Sequence, residues 1–351
     1  MDTTTGDSYN VERQTIISLN EGTVIQPSPT TDIWFEDGNV VLQAEYAQFR
    51  VHRSILSTHS MIFRDMFAIP QPTSKNKLEE CPIVRLSDSA EDWTHVLRAL
   101  YDRRYDRLGY SCIYCCFSDL FPFRCCLSYQ FDDDEPQSFS VVAAFARLGT
   151  KYEFRQLRTE AVKRLTFEFP SQLNRLETQH SGTRIIGANG LVFRAITLAR
   201  ETNMLFVLPC AMAICCQSYT IRDILNGVGS PDYPHMVLST EDQRACLSGW
   251  YDLIHMQAKE TFKWLDPHMR DTLFPDCVSR ARCTKARARI LYSMSHPISL
   301  CNPFSRFVWE MVMCINCTIV SKVQHENGRK NIWNDLPSFF GLPGWDELLK
   351  E

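Results

Sequence analysis

Between Asn39 and Val51 the chain alternates short apolar and polar runs around turn residues. Asp37-Gly38-Asn39 is a turn signal, Val40-Val41-Leu42 opens a strand, and Tyr46-Ala47-Gln48 turns the chain again. Phe49 and Val51 then alternate with Arg50 and His52, which predicts a two-stranded hairpin. The period changes next to that of a helix. Ile55, Leu56, Ile62, Phe63, Met66 and Phe67 share one apolar face, and Pro70 and Pro72 stop it. Ile83-Val84-Arg85-Leu86 predicts a third strand. Ser89 and Asp92 fit a capping box, which satisfies free N–H groups at the head of a helix bearing Trp93, Val96, Leu97, Leu100 and Tyr101.

From Ser138 the pattern is helical almost to the end. Val141, Phe145 and Leu148 share a face, with Gly149 as the stop. Phe154, Leu157, Ala161 and Leu165 make the next helix, closed by Pro170. Further helices are expected at 190–207, 209–226, 240–266, 277–294 and 303–323. Asn302 and Pro303 suit the start of the last one, whose stripe is Phe304, Phe307, Val308, Met311, Val312, Ile315 and Ile319. The expected organisation is a flexible polar arm at 1–30 and an α/β unit at 31–168 with an irregular insertion at 103–137. A linker at 169–189 and an all-α region at 190–351 complete it.

The order hairpin, helix, strand, helix, paired helices resembles the BTB/POZ fold. Val40-x-Leu42, Phe49-x-Val51-His52-Arg53, Ile55-Leu56, Ser60, Phe63 and Met66-Phe67 are similar to that family's opening motif. Ile83-x-Arg85-Leu86-x-Asp88 and Leu97 to Tyr101 are similar to its next segment. The stretch Leu336-Pro337-Ser338-Phe339-Phe340-Gly341-Leu342-Pro343 resembles the tail of a large group of fungal BTB proteins. The resemblance implies protein–protein association without catalysis, through a homodimer whose interface includes Asn39, His52, Arg53, Phe63, Met66 and Phe67. Many family members carry an Asp just before the first strand, in a charged pocket with the basic residue of the His-Arg pair. Asn39 stands there by spacing and offers a neutral acceptor to Arg53, a weaker partner than a carboxylate. Leu78-Glu79-Glu80 resembles the apolar-x-Glu motif of BTB adaptors that bind a cullin scaffold. Leu78 and Glu80 are therefore the candidate contacts for the alternative reading, a substrate adaptor of a cullin-type ubiquitin ligase.

Composition narrows the remaining classes. The net charge of −4 gives no field favouring nucleic acid, and no DNA-reading motif supports a transcriptional regulator. The basic run Arg280, Arg282, Lys285, Arg287, Arg289 reads as the solvated side of a helix. The longest apolar run, Met204 to Cys216, is interrupted by Pro209 and too short to cross a membrane. The polar, acidic start MDTTTGDSYN lacks the features of a secretory signal, so a cytoplasmic or nuclear location with reduced thiols is expected. Phosphate-loop, dinucleotide, zinc-protease and nucleophile-elbow motifs are missing, which places an enzyme last. His52, beside Val51 and Ile55, reads as a structural histidine bonding the backbone of the turn.

Fifteen cysteines are many for 351 residues. Cys314-x-x-Cys317 with Cys301, His296, Cys283 and Cys277 offers zinc-ligand types, but only one C-x-x-C occurs and it falls within the last predicted helix. The expectation is therefore no metal and no cofactor, with these thiols packed as small hydrophobes, as for Cys215-Cys216. Five more cysteines crowd into Cys112 to Cys126. The segment Gly109 to Gln130 has no helical or strand period where a short loop belongs. We read it as a translated intron, with a packed loop or a zinc knuckle of Cys112, Cys115, Cys125 and Cys126 as alternatives.

Overall fold

In the computed structural model, residues 28–69, 77–101, 135–178, 182–187, 190–230, 233–294, 301–305 and 312–350 are described; the segment 109–130 lies outside them. Strand β1 (Ser28–Trp34) runs parallel to β3 (Ala47–Val51), which forms the expected hairpin with β2 (Val40–Ala44). The first strand thus begins within the segment expected as a flexible arm. Alternation along the two hairpin strands places Val40, Leu42, Phe49 and Val51 in the core at 0% exposure.

Two short helices, α1 (Arg53–His59) and α2 (Met61–Ala68), replace the single expected one. Ser60 breaks them and its hydroxyl accepts the Phe63 N–H at 3.1 Å, capping α2. The edge hairpin β4 (Lys77–Leu78) and β5 (Cys81–Leu86) follows, with β5 parallel to β2. The sheet order is β1-β3-β2-β5-β4. Helix α3 (Ala90–Tyr101) starts where expected. Ser89 Oγ accepts the Asp92 N–H at 3.1 Å, and Glu45 takes the Ala90 N–H at 2.9 Å from across the hairpin turn.

Short strand β6 (Gln137–Ser138) leads into α4 (Phe139–Lys151), followed by α5 (Arg155–Glu168). Helix α4 runs through Gly149 instead of stopping there. A side chain at that position would meet the Arg158 backbone at 2.9 Å, so the glycine serves the close crossing of α5. The stretch expected as a linker contains α6 (Leu173–Thr178) and β7 (Ile185–Ile186), which pairs in parallel with β6. Buried Arg164 fastens this edge: its guanidinium donates to Glu160 at 2.6 Å and to the carbonyls of Glu135 and Arg184.

The C-terminal half is mostly helical. It comprises α7 (Leu191–Glu201), α8 (Leu208–Ser218), α9 (Ile221–Asn226), the small hairpin β8 (Val228–Ser230) and β9 (Tyr233–Met236), and α10 (Thr240–Met256). A π-turn at Gln257–Thr261 ends α10. Short α11 (Arg270–Leu273), α12 (Arg280–Met294), long α13 (Ile315–Phe339) and α14 (Trp345–Leu348) complete the chain. The last expected helix is thus displaced: Phe304 lies in a turn, and Cys314 caps α13 instead of sitting mid-helix. One continuous core runs from Ile33 through α3, α4, α7 and α8 to Phe340, and a smaller one gathers Phe262, Trp264, Leu265, Phe274 and Met313. No helix among the described residues is long and apolar enough to cross a membrane.

Candidate functional site

The turn before β2 organises the start of α1. Gly38 is needed there, because a Cβ would lie 2.9 Å from both Arg50 Cγ and the Phe35 carbonyl. The turn presents Asn39, whose Oδ1 accepts the backbone N–H of Arg53 at 2.8 Å. His52 stands at the N-cap but makes no capping bond with its own side chain. Its N–H donates to the Tyr101 hydroxyl at 2.7 Å, and Nδ1 lies 3.2 Å from that hydroxyl. Nε2 faces the Asp37 carboxylate at 3.2 Å. These three contacts are compatible when Nε2–H donates to Asp37 and the tyrosine O–H donates to Nδ1. Phe35 stacks on Tyr101 at 4.5 Å. His52 therefore bonds two side chains through its ring, and not the backbone of the turn.

Arg53 points the other way. Its guanidinium lies over the Phe67 ring, 4.9 Å from the centroid, and Asn39 meets its backbone instead of its charge. Within the chain, Asn39 and Arg53 thus take part in a helix cap and a cation–π contact.

On α2 the structure separates the expected interface residues. Phe63 is 1% exposed and packs with Trp93, Tyr152 and Phe154, so it belongs to the interior of its own chain. Met66 and Phe67 are half-buried. The outward apolar side chains are Met61, Ile62 and Ile69, which the sequence reading did not place in the site. A signal was available. From Met61 to Ile69 only Arg64 and Asp65 are polar, and a helix apolar nearly all round exceeds what one buried face can absorb. Beside this face a cavity of about 360 Å³ opens, lined by Ser57, His59, Met61, Arg64, Leu100 and Phe154 among others. Burial lowers the pKa of His59.

The third element is the β4–β5 turn. Leu78 pairs with Cys81, and the two residues between, Glu79 and Glu80, have φ of 46° and 63°. Two left-handed residues in a two-residue hairpin are ordinarily Asn-Gly or Asp-Gly, because other side chains crowd the following carbonyl. Glu79 binds Arg50 at 2.6 Å, and Arg50 also donates to the Gly38 carbonyl at 2.9 Å, which ties this turn to the one before β2. Glu80 is exposed and Leu78 half-buried. The structure thus brings Asn39, His52, Arg53, Met66 and Phe67 into one region beside the edge hairpin, and leaves Phe63 beneath it.

Among the described residues, the cluster whose donor atoms could hold a metal ion is elsewhere, at Cys277, Cys283, Cys314 and Cys317. Cys283 and Cys317 are buried in the smaller core, with Cys277 and Cys314 packed against it.

Set against protein-family models, residues 35–107 match the BTB/POZ domain. No curated protein and no solved structure matches the chain. All the interface residues named above fall inside the matched segment, and its hairpin, α1–α2 pair and third strand follow the order read from the sequence. Residues 35–107 thus carry a BTB/POZ domain, a protein–protein interaction module.

Proposed function

We propose that this protein works by association without chemistry: it self-associates through the outer face of α1 and α2 and recruits a second protein. The observation that carries the reading is the exposed apolar surface of Met61, Ile62 and Ile69, at 39%, 42% and 61%, on and just after the helix that also bears half-buried Met66 and Phe67. Fully burying one such side chain contributes roughly 1.5–3 kcal/mol, and a second copy of the same face covers it by two-fold symmetry. Light scattering on the full chain tests this. A dimer at micromolar concentration is expected, with Ile62→Asp shifting it to monomer at unchanged thermal stability. A monomeric native chain at high micromolar concentration overturns it.

A second reading, contact with a cullin-type scaffold, rests on the Glu79-Glu80 turn. Two glutamates hold a conformation that costs each on the order of 1 kcal/mol, and one of them projects its charge into solvent. Co-purification with a cullin, lost on Leu78→Asp with Glu80→Lys, supports it.

A further inference from the structure

Four cysteines distant in sequence meet at one point of the C-terminal half. Cys277 lies in the turn after α11 and Cys283 in the first turn of α12; Cys314 caps α13 and Cys317 completes its first turn. Their sulfurs all lie within 4.8 Å of one another, and those of Cys277 and Cys314 are 4.0 Å apart. A tetrahedral zinc ion bound at about 2.3 Å holds its sulfurs roughly 3.8 Å apart, so the set closes on an ion with shifts of about 1 Å or less.

Backbone N–H groups face two of the four sulfurs. The Cys314 N–H donates to Cys283 Sγ at 3.2 Å, and the N–H groups of Cys317 and Val278 point at Cys314 Sγ. The N-terminus of the 25-residue α13 adds its partial positive charge, with no acidic residue in that first turn. Arg287 supplies an independent observation. It is 5% exposed, lies 4.2 Å over the Phe274 ring, and aims one guanidinium nitrogen at Cys317 Sγ from 3.9 Å. Among the described residues it forms no ion pair with a carboxylate. A buried cation without a counter-charge is costly, and four thiolates around one divalent ion carry a net charge of −2. The smaller core around Trp264 is also the kind of small hydrophobic cluster that a metal staples.

The other described cysteines lie apart from this cluster. Cys301, which shares the zinc-type sequence pattern, lies in the main core. Cys216 donates to the Cys246 carbonyl at 3.3 Å and belongs to that core too.

We propose that Cys277, Cys283, Cys314 and Cys317 form a structural tetrathiolate zinc site that clamps the start of α13 to α12 and the turn before it. Binding exchanges four thiol protons for one Zn²⁺ with no change of oxidation state. With sulfur in all four positions no site remains for water, which makes it structural and not catalytic.

The test is the metal content of the full chain, expressed with added zinc and purified without chelator, with Co²⁺ loaded in parallel. One zinc per chain is expected, and the Co²⁺ form should show tetrahedral d–d bands with thiolate charge transfer. Cys314→Ser should weaken zinc binding more than tenfold, while Cys210→Ser leaves it unchanged. Should the serine variant fail to fold, the native chain decides: zinc should shield these four thiols from alkylation, and a chelator should expose them. A chain free of zinc, an octahedral Co²⁺ spectrum, alkylation indifferent to zinc, or a disulfide among the four overturns the proposal.

Discussion

Asn39 accepts the Arg53 N–H at 2.8 Å and so caps a helix whose own N-cap residue, His52, makes no such bond. The cap comes from fourteen residues earlier in the chain and fastens the turn before β2 to α1. Asn39→Ala should cost about 1 kcal/mol and lower the melting temperature, as loss of a helix cap does. Asn39→Asp should keep the cap and add a favourable charge at the helix N-terminus. Thermal unfolding of both variants checks this; equal losses would mean that the side-chain oxygen does not cap α1.

Glu80→Gly removes a side chain from a left-handed position at φ 63°. It should stabilise the protein by about 1 kcal/mol, because the native backbone then carries less strain. If the turn contacts a cullin, the same variant should weaken that contact. A rise in stability with a fall in binding would show that the strained charge serves recognition; a fall in stability would contradict the strain argument.

Arg164 is 2% exposed and bonds Glu160 on its own helix and the carbonyls of Glu135 and Arg184 beyond it. Arg164→Ala leaves the buried Glu160 carboxylate unpaired and should cost roughly 3–5 kcal/mol. Arg164→Met together with Glu160→Gln should recover part of it. Hydrogen exchange at Ile185, whose strand rests on these bonds, should speed up in the single variant. Unchanged exchange there would mean that the β6–β7 edge does not depend on Arg164.

His325 is fully buried on α13, with Nε2–H donating to the Ser305 carbonyl at 3.0 Å. Burial holds its pKa below the ordinary 6.5, and the Ser305 bond opposes this only in part. Between that value and the lower folded one, the unfolded chain binds the extra proton and the native one does not. Stability should therefore be constant from this source above pH 6.5 and fall as the pH drops below it. His325→Gln should flatten that decline in denaturant titrations. It should not abolish it, because His59 is shifted in the same direction. An equally steep decline in the variant would assign the effect to other groups.

The hairpin, third strand and capped α3 were legible because their apolar residues alternate or recur at helical spacing with few polar residues on the buried side. The longest helix was not. The buried side of α13 carries Cys317, Ser321, His325, Gly328, Arg329, Ile332, Trp333 and Leu336. The spacing is helical, but half of these residues are polar or lack a side chain, and their partners lie far away in sequence. Arg329 pairs with Glu177 on α6, and Gly328 admits the Glu260 carbonyl where a Cβ would approach to 2.4 Å. Gly328 and Pro337 read as breakers in sequence, yet both lie within the helix. The apolar residues of α2 were legible in kind but not in orientation. Phe63 turned inward while Met61 and Ile62 turned outward, a matter of a hundred degrees around α2 that the break at Ser60 decides. The cysteine cluster was obscured for the same reason as α13, since displacing that helix moved Cys314 from its middle to its head.

Helix α13 is a beam with one end in each core: Cys317 sits in the smaller, while Ile332, Trp333 and Leu336 sit in the larger. At 1.5 Å per residue its two anchorages stand about 28 Å apart. A rigid rod held at both ends lets neither end swing without bending the middle, where Gly328 is seated against the turn at Glu260. Released at the cysteine end, it is still held from His325 and Gly328 onward. Its first turns can then fray while its last turns stay folded until the whole molecule opens.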